Sequence, residues 1–173
     1  MEPMRDAPAR RSATLTPDVV WRLDLRVYYE DTDFSGFAYH VSYLRFLERA
    51  RTEWLRAIGF EQGDLKQGEA LTFAVRRIAI DYLRPAAMDD ALTVETHIRR
   101  IGGASIDFEQ TVVRGLEKLV TANVSVAMLK NGRPSRIPHR MKASILQATG
   151  RTAPAGDASD PANLQRPVKP RDD

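Results

Sequence analysis

Between residues 41 and 58 the apolar side chains Leu44, Leu47, Trp54 and Ile58 recur at helical spacing, and Tyr43, Phe46, Ala50 and Leu55 widen the stripe. A helix with so broad an apolar face needs a broad apolar surface to lie against, not the edge of one neighbouring helix. The rest of the chain offers a single kind of surface. Upstream, Leu23, Leu25, Val27 and Tyr29 alternate with Arg22, Asp24, Arg26 and Tyr28, the period of a half-buried strand. Downstream, "LTFAVRRIAIDYL" is a β-rich run ended by Pro85, and "ALTVETHIRRI" sets Leu92, Val94, Thr96 and Ile98 on one face. After a turn at Gly102-Gly103, "SIDFEQTVV" aligns Ile106, Phe108, Gln110 and Val112, and "KLVTANVSVAML" aligns Val120, Ala122, Val124, Val126 and Met128 before Asn131-Gly132. Everything between the long helix and that glycine reads as strand, and "PHRMKASILQA" as a short terminal helix begun near Pro138. A one-faced sheet and a wide-striped helix each solve the other's burial problem. The expected fold is therefore α+β: an antiparallel sheet of about five strands wrapped around one long central helix. Gly59 should stop that helix by taking positive φ, with Phe60 folding back onto it.

The 173 residues suit one domain. Its expected span is residues 20–148, because residues 1–19 and 149–173 are rich in Pro, Ala, Gly and Asp and read as disordered tails. No apolar run approaches the roughly 18–20 residues of a membrane span, and the N-terminus lacks the apolar core of a secretory signal. The absence of cysteine removes a disulfide framework, a thiolate nucleophile and a zinc-thiolate site, and fits the cytoplasm. Three histidines with no acid-rich ligand set give no metal signature, so neither metal nor cofactor is expected. The net charge of +3 is thinly spread; only residues 130–142, with Lys130, Arg133, Arg136, Arg140 and Lys142 and no acid, form a local excess. That stretch is either a solvated basic surface or a place for phosphates.

The stretch "VYYEDTDFSGFAYH", residues 27–40, puts Asp31, Asp33 and His40 where a strand gives way to the helix. Tyr29 shares the parity of Leu23, Leu25 and Val27, so it is expected to point to the helix side. Gly36 permits a tight backbone path near a ligand. The helix start around residues 39–42 exposes N–H groups at the positive end of its dipole. Such groups are donors for a carbonyl oxygen that gains charge in acyl transfer. A carboxylate just upstream can attack that carbonyl or activate water against it. An Asp before a helix also serves as a cap or Asx turn, and spacing alone leaves both readings open.

The pattern "RVYYEDTD…G…YH..YL.F.ERAR.E.L" closely resembles the N-terminal motif of hotdog-fold acyl-CoA thioesterases of the 4-hydroxybenzoyl-CoA thioesterase family. The nearest subgroup is that of the bacterial thioesterases associated with the Tol–Pal cluster. The likeness is dense over residues 26–56 and looser to about residue 146, where "DYLRPA" also fits. It implies a hotdog fold and hydrolysis of short- or medium-chain or aromatic acyl-CoA to free acid and CoA. It carries over Asp33 as nucleophile or general base, with Tyr29 and His40 as further catalytic residues and the His40 backbone N–H polarising the thioester carbonyl. Gly36 and Tyr39 are implied beside the substrate, Arg99 and Arg100 on CoA phosphates, and Ser105 after the glycine pair. Asp31, the first acid of the motif, is read as structural. "DFSGF" stands where the subgroup often has "DAGGV", and Ser35 with Phe34 and Phe37 bears on the size of the acyl pocket. Another hotdog lineage takes its carboxylate from the long helix, which raises Glu48 and Glu53; here Arg45, Arg49, Arg51 and Arg56 flank them, so a solvated or ion-paired face is expected. His97 and His139 are read as surface residues.

The resemblance implies as partners acyl-CoA, with acyl carrier protein as a further candidate, and a homo-oligomer: a dimer with sites at the subunit interface, often paired into a tetramer. No nucleic acid is expected. Two other classes stand beside the thioesterase. A hotdog dehydratase on acyl carrier protein thioesters pairs a His with a carboxylate from a different stretch. A non-catalytic acyl-CoA-binding regulator carries a DNA-binding domain, for which these tails offer no room. Fold alone does not separate the three; the Asp33 motif favours the thioesterase.

Overall fold

The computed structural model describes residues 21–150. Its elements are β1 (Trp21–Arg26), a single 3-10 turn (Tyr29–Asp31), α1 (His40–Ala57), α2 (Gln62–Glu69), β2 (Leu71–Tyr82), β3 (Ala91–Ile101), β4 (Ser105–Arg114), β5 (Glu117–Lys130), the two-residue β6 (Arg133–Pro134) and α3 (His139–Ala148). The tails expected at either end fall outside the described residues, except Thr149 and Gly150, which close α3. All strand pairs are antiparallel and run in the order β1-β3-β4-β5-β2, with β6 paired to β5. This is the expected hotdog arrangement, with β1 and β2 as edges. Among the described residues no helix is long and apolar enough to cross a membrane.

Alternation along the strands delivers the core. Leu92, Val94, Ile106, Phe108, Val112, Val120, Val124, Val126 and Met128 are all buried, and α1 sets Phe46, Leu47 and Ala50 among them with no exposed surface. Each such fully buried large side chain contributes about 1.5–3 kcal/mol. Gln110 occupies an inward position of β4 and is also fully buried. Its amide donates to the Leu47 carbonyl (3.0 Å) and the Thr96 hydroxyl (2.9 Å) and accepts from Arg51 (2.6 Å), so every strong demand it makes is met. Arg51, itself buried, reaches Glu48 at 2.7 Å with its other nitrogen. Burial lowers the Arg51 pKa, and the Glu48 carboxylate opposes that.

The helix end is formed as the sequence predicts. Gly59 has φ +90°, its N–H reaches the Arg56 carbonyl at 2.9 Å, and the Phe60 N–H reaches Leu55 at 3.1 Å. That pair of bonds is a Schellman cap, and buried Phe60 supplies its apolar contact.

Two expectations need correction. The stretch after Phe60 is not strand throughout, because α2 interposes eight helical residues before β2. Its sequence, "QGDLKQGE", has two glycines and buries only Leu65, so it shows no stripe at helical period. The helix is held by Leu65 in the core and by Ala70 in the left-handed region at its end. Tyr29 also departs from the parity of β1. The strand ends at Arg26, and the 3-10 turn breaks the two-residue alternation, so Tyr29 swings out to 81% exposure.

Among the described residues, the pairs Arg76-Arg77 and Arg99-Arg100 each lie at a break in register, between Val75 and Arg77 in β2 and between Ile98 and Arg100 in β3. An extra residue in a strand lets neighbours share a face. Arg76, Arg77, Arg99 and Arg100 are accordingly all exposed on the side of the sheet away from α1.

Candidate active site

Asp31 builds the joint between β1 and α1. Its carboxylate accepts the Tyr28 N–H at 3.0 Å, and its carbonyl accepts the Tyr39 N–H at 2.8 Å and the Ser42 hydroxyl at 3.0 Å. It is buried, and its role is structural, as read from the sequence.

Asp33 stands on the loop that this frame carries. Thr32 bridges Ala38, the Asp33 N–H bonds the Phe37 carbonyl (3.0 Å), and the Gly36 N–H bonds the Asp33 carbonyl (3.0 Å). Gly36 has φ +79°, which a residue with a Cβ rarely adopts. A second bridge, Phe37 to Ala87, and the Ala38 N–H on the Ala86 carbonyl (2.8 Å) lash the loop to the β2–β3 connection. The Asp33 carboxylate is exposed, and one oxygen, Oδ1, accepts from the Ser35 hydroxyl (2.5 Å) and the Ser35 N–H (2.8 Å). The Ser35 hydroxyl, then the Ser35 N–H, with His40 adding a weaker pull, hold the Asp33 pKa below the ordinary aspartate value.

His40 is the first residue of α1, and the N-cap Tyr39 makes no side-chain bond to the first turn. The Ser42 N–H turns back onto the Tyr39 carbonyl at 2.7 Å, and the His40 and Val41 N–H groups ahead of it stand at the positive end of the helix dipole beside the Asp33 loop. Tyr82, at the end of β2, donates its hydroxyl to the His40 carbonyl at 3.0 Å, and the His40 ring lies between Tyr39 (4.3 Å) and Tyr82 (6.4 Å). A hollow of about 280 Å³ opens there, lined by His40, Tyr43, Tyr82 and Leu83. Tyr43 is buried beneath it and accepts the Ala86 N–H at 2.8 Å through its hydroxyl. Tyr82 has no sequence signal tying it to His40, since the two are 42 residues apart. Ser35 did have one, the Asp-x-Ser spacing that favours an Asx turn.

Other site expectations fall elsewhere. Asp90 lies beside Val27 at the loop end of the sheet, and Arg99 is nine residues of continuous strand further on, roughly 30 Å away. Within one subunit Arg99, Arg100 and Ser105 are therefore not brought to Asp33. Arg99 pairs with Glu109 and Arg100 with Asp107, and both line an outer cleft of about 500 Å³ with Arg76 and Arg77. Ser105 opens β4, its carbonyl accepting the Gly102 N–H at 2.7 Å. Glu48 and Glu53 are ion-paired to Arg51 (2.7 Å) and Arg56 (2.5 Å), as expected. Among the described residues no cluster of His, Asp or Glu could hold a metal ion.

Comparison with known proteins meets this geometry. The thioesterase superfamily profile matches residues 35–121. The chain is 46% identical over 123 residues to the acyl-CoA thioesterase YbgC of Haemophilus influenzae, covering 70% of this chain and 90% of that one. The chain belongs to the thioesterase superfamily. As a thioesterase it is a thioester hydrolase, and solved folds agree. A probable thioesterase from Bartonella henselae superposes with TM-score 0.67 at 43% identity, covering 69% of this chain and all of that one. A Thermus thermophilus thioesterase solved with coenzyme A and Zn superposes with TM-score 0.67 at 26% identity, covering 76% and 96%.

Proposed function

We propose that this thioesterase hydrolyses acyl-CoA with Asp33 as the reacting carboxylate and the start of α1 as the oxyanion site. The observation that carries the reading is the exposed, ionised Asp33 with one oxygen tied and the other untied, beside a helix N-terminus with no side-chain cap. The substrate carbonyl oxygen accepts from the His40 N–H as negative charge grows on it. Asp33 either takes a proton from water as the water oxygen attacks the carbonyl carbon, or attacks that carbon itself to give an anhydride that water then opens. In both routes the C–S bond breaks, its electron pair leaves on sulfur, and CoA takes up a proton. His40 and Tyr82 frame the thioester; Tyr29, exposed in one subunit, is assigned to the face that a second subunit closes. The relatives' names support acyl-CoA as the thioester.

The edge of the sheet supports a second subunit. β2 is a twelve-residue edge strand whose last residue, Tyr82, touches His40. Antiparallel pairing of two such edges through their middles sets Tyr82 of one copy near the Leu71 end of the other. That end carries a small apolar hollow of about 60 Å³, formed by Trp54, Leu55, Phe73 and Phe108, with Arg51 and Glu48 at its side. It also carries the Arg99–Arg100 end of the sheet, which the pairing brings toward the Asp33 loop from the partner side. The hollow suits a short acyl group and the arginines the CoA phosphates.

Asp33→Asn keeps the shape of the side chain but can neither attack nor accept a proton. Turnover of a panel of acyl-CoAs should fall at least about 100-fold while substrate binding survives. Near-normal turnover would reject Asp33 as the reacting group.

A further inference from the structure

We propose that Ser35 is a positioning residue for thioester cleavage: its hydroxyl fixes one oxygen of Asp33 and leaves the other aimed outward to react. The proposal rests on Asp33 being the reacting carboxylate.

Both donors of Ser35 converge on the same atom. The hydroxyl lies 2.5 Å and the N–H 2.8 Å from Asp33 Oδ1. A carboxylate bonded through one oxygen by two donors from the residue two positions on is restrained in its rotation about the Cβ–Cγ bond. The hydroxyl proton is itself directed. The Phe37 N–H lies 3.4 Å from the Ser35 oxygen, so that oxygen accepts a weak bond there while its own proton goes to Asp33. The turn that presents Ser35 is closed by the Gly36-to-Asp33 and Asp33-to-Phe37 backbone bonds, neither of which uses the serine side chain. The hydroxyl can therefore be removed without opening the turn. An exposed carboxylate left to rotate would share its reactive orientation with others, and holding reacting atoms in place is a large part of catalytic rate.

The same contact sets the acid limit. The charged group that acts on Asp33 is His40 at the start of α1; Glu30 and Asp31 sit on the adjoining 3-10 turn, and Asp89 and Asp90 on the connection that the Phe37–Ala87 bridge joins to the loop. Asp31 is engaged by Tyr28 N–H, and Asp90 by Ala87 N–H and Arg114. None of these bonds involves Ser35. The Ser35 hydroxyl is the largest influence holding the Asp33 carboxyl down, so its loss lets Asp33 titrate nearer the ordinary aspartate range. The group then picks up a proton at a higher pH.

The experiment is the pH profile of kcat/KM for the full chain with an acyl-CoA substrate, in the wild type, Ser35→Ala, Ser35→Thr and Asp33→Asn. Ser35→Ala should move the acid limb to higher pH and lower kcat on its plateau about tenfold with little change in KM, since the lost contact is a hydrogen bond to a charged group. Ser35→Thr, which restores the hydroxyl, should return the limb toward the wild-type position. An inactive Asp33→Asn beside a Ser35→Ala whose limb coincides with wild type would overturn the role of Ser35 alone. A loss in Ser35→Ala that Thr does not rescue, with the limb unmoved, would mean mere damage to the loop and also overturn it. An active Asp33→Asn would remove the reading beneath both.

Discussion

One carboxylate, that of Asp90, gathers three segments beside the site. It accepts the Ala87 N–H at 2.8 Å and Arg114 at 2.6 Å, while the Asp90 carbonyl takes the Val27 N–H at 3.0 Å. Burial pushes its pKa up, but the Ala87 N–H and the Arg114 guanidinium outweigh that and hold it below the ordinary aspartate value. A folded-state pKa that is depressed stabilises the fold above the unfolded pKa, near 4, and that stability is lost as pH falls through the folded value. Asp90→Asn should therefore cost about 1 kcal/mol in denaturant unfolding at pH 7, the pair being partly solvated. The gap between variant and wild type should close as the pH is taken below about 4. A gap that persisted unchanged at pH 3 would mean the charge of Asp90 is not what matters.

The elements divide into those whose period shows in the sequence and those held only by distant contacts. The α1 stripe and the alternation in β3, β4 and β5 were legible because each buries one face against a large partner. α2 was not, because Leu65 alone reaches the core and two glycines interrupt it. The site divides the same way. Asp33, Gly36, Tyr39 and His40 come together because they sit within one short connection, where sequence distance is nearly spatial distance. Tyr82 arrives through the sheet, and Arg99 is carried away by it, and neither displacement has a local sign. The end of α1 is a direct test of what the sequence showed. A Cβ at Gly59 would meet nothing within 4 Å, so Gly59→Ala is opposed by its φ of +90° and by nothing else. It should lower unfolding free energy by about 1–2 kcal/mol while turnover per folded molecule stays unchanged. A variant as stable as wild type would show that the chain ends the helix without the left-handed residue.

At the scale of the molecule, β2 leaves a row of unpaired backbone groups, and an edge of that kind invites a second copy. Closed symmetry is the default for such pairing. A dimer should be the smallest active form and a tetramer the prevailing one, and sedimentation over a dilution series run beside the activity assay checks both. A fully active monomer would overturn the shared site and leave the hydrolase itself untouched. Charge reversal of Arg99 and Arg100 should raise KM with kcat nearly intact, most strongly at low salt. A salt-independent loss of kcat would assign those arginines to the fold. The lacing of the Asp33 loop bears on how such a protein can change over generations. Its shape comes from main-chain bonds to residues 86 and 87 and across the turn, while Phe34 points wholly into solvent. Position 34 is thus free to drift through mutation while the acid next to it keeps its place, so the loop can accept new side chains on its outer rim without first losing its chemistry.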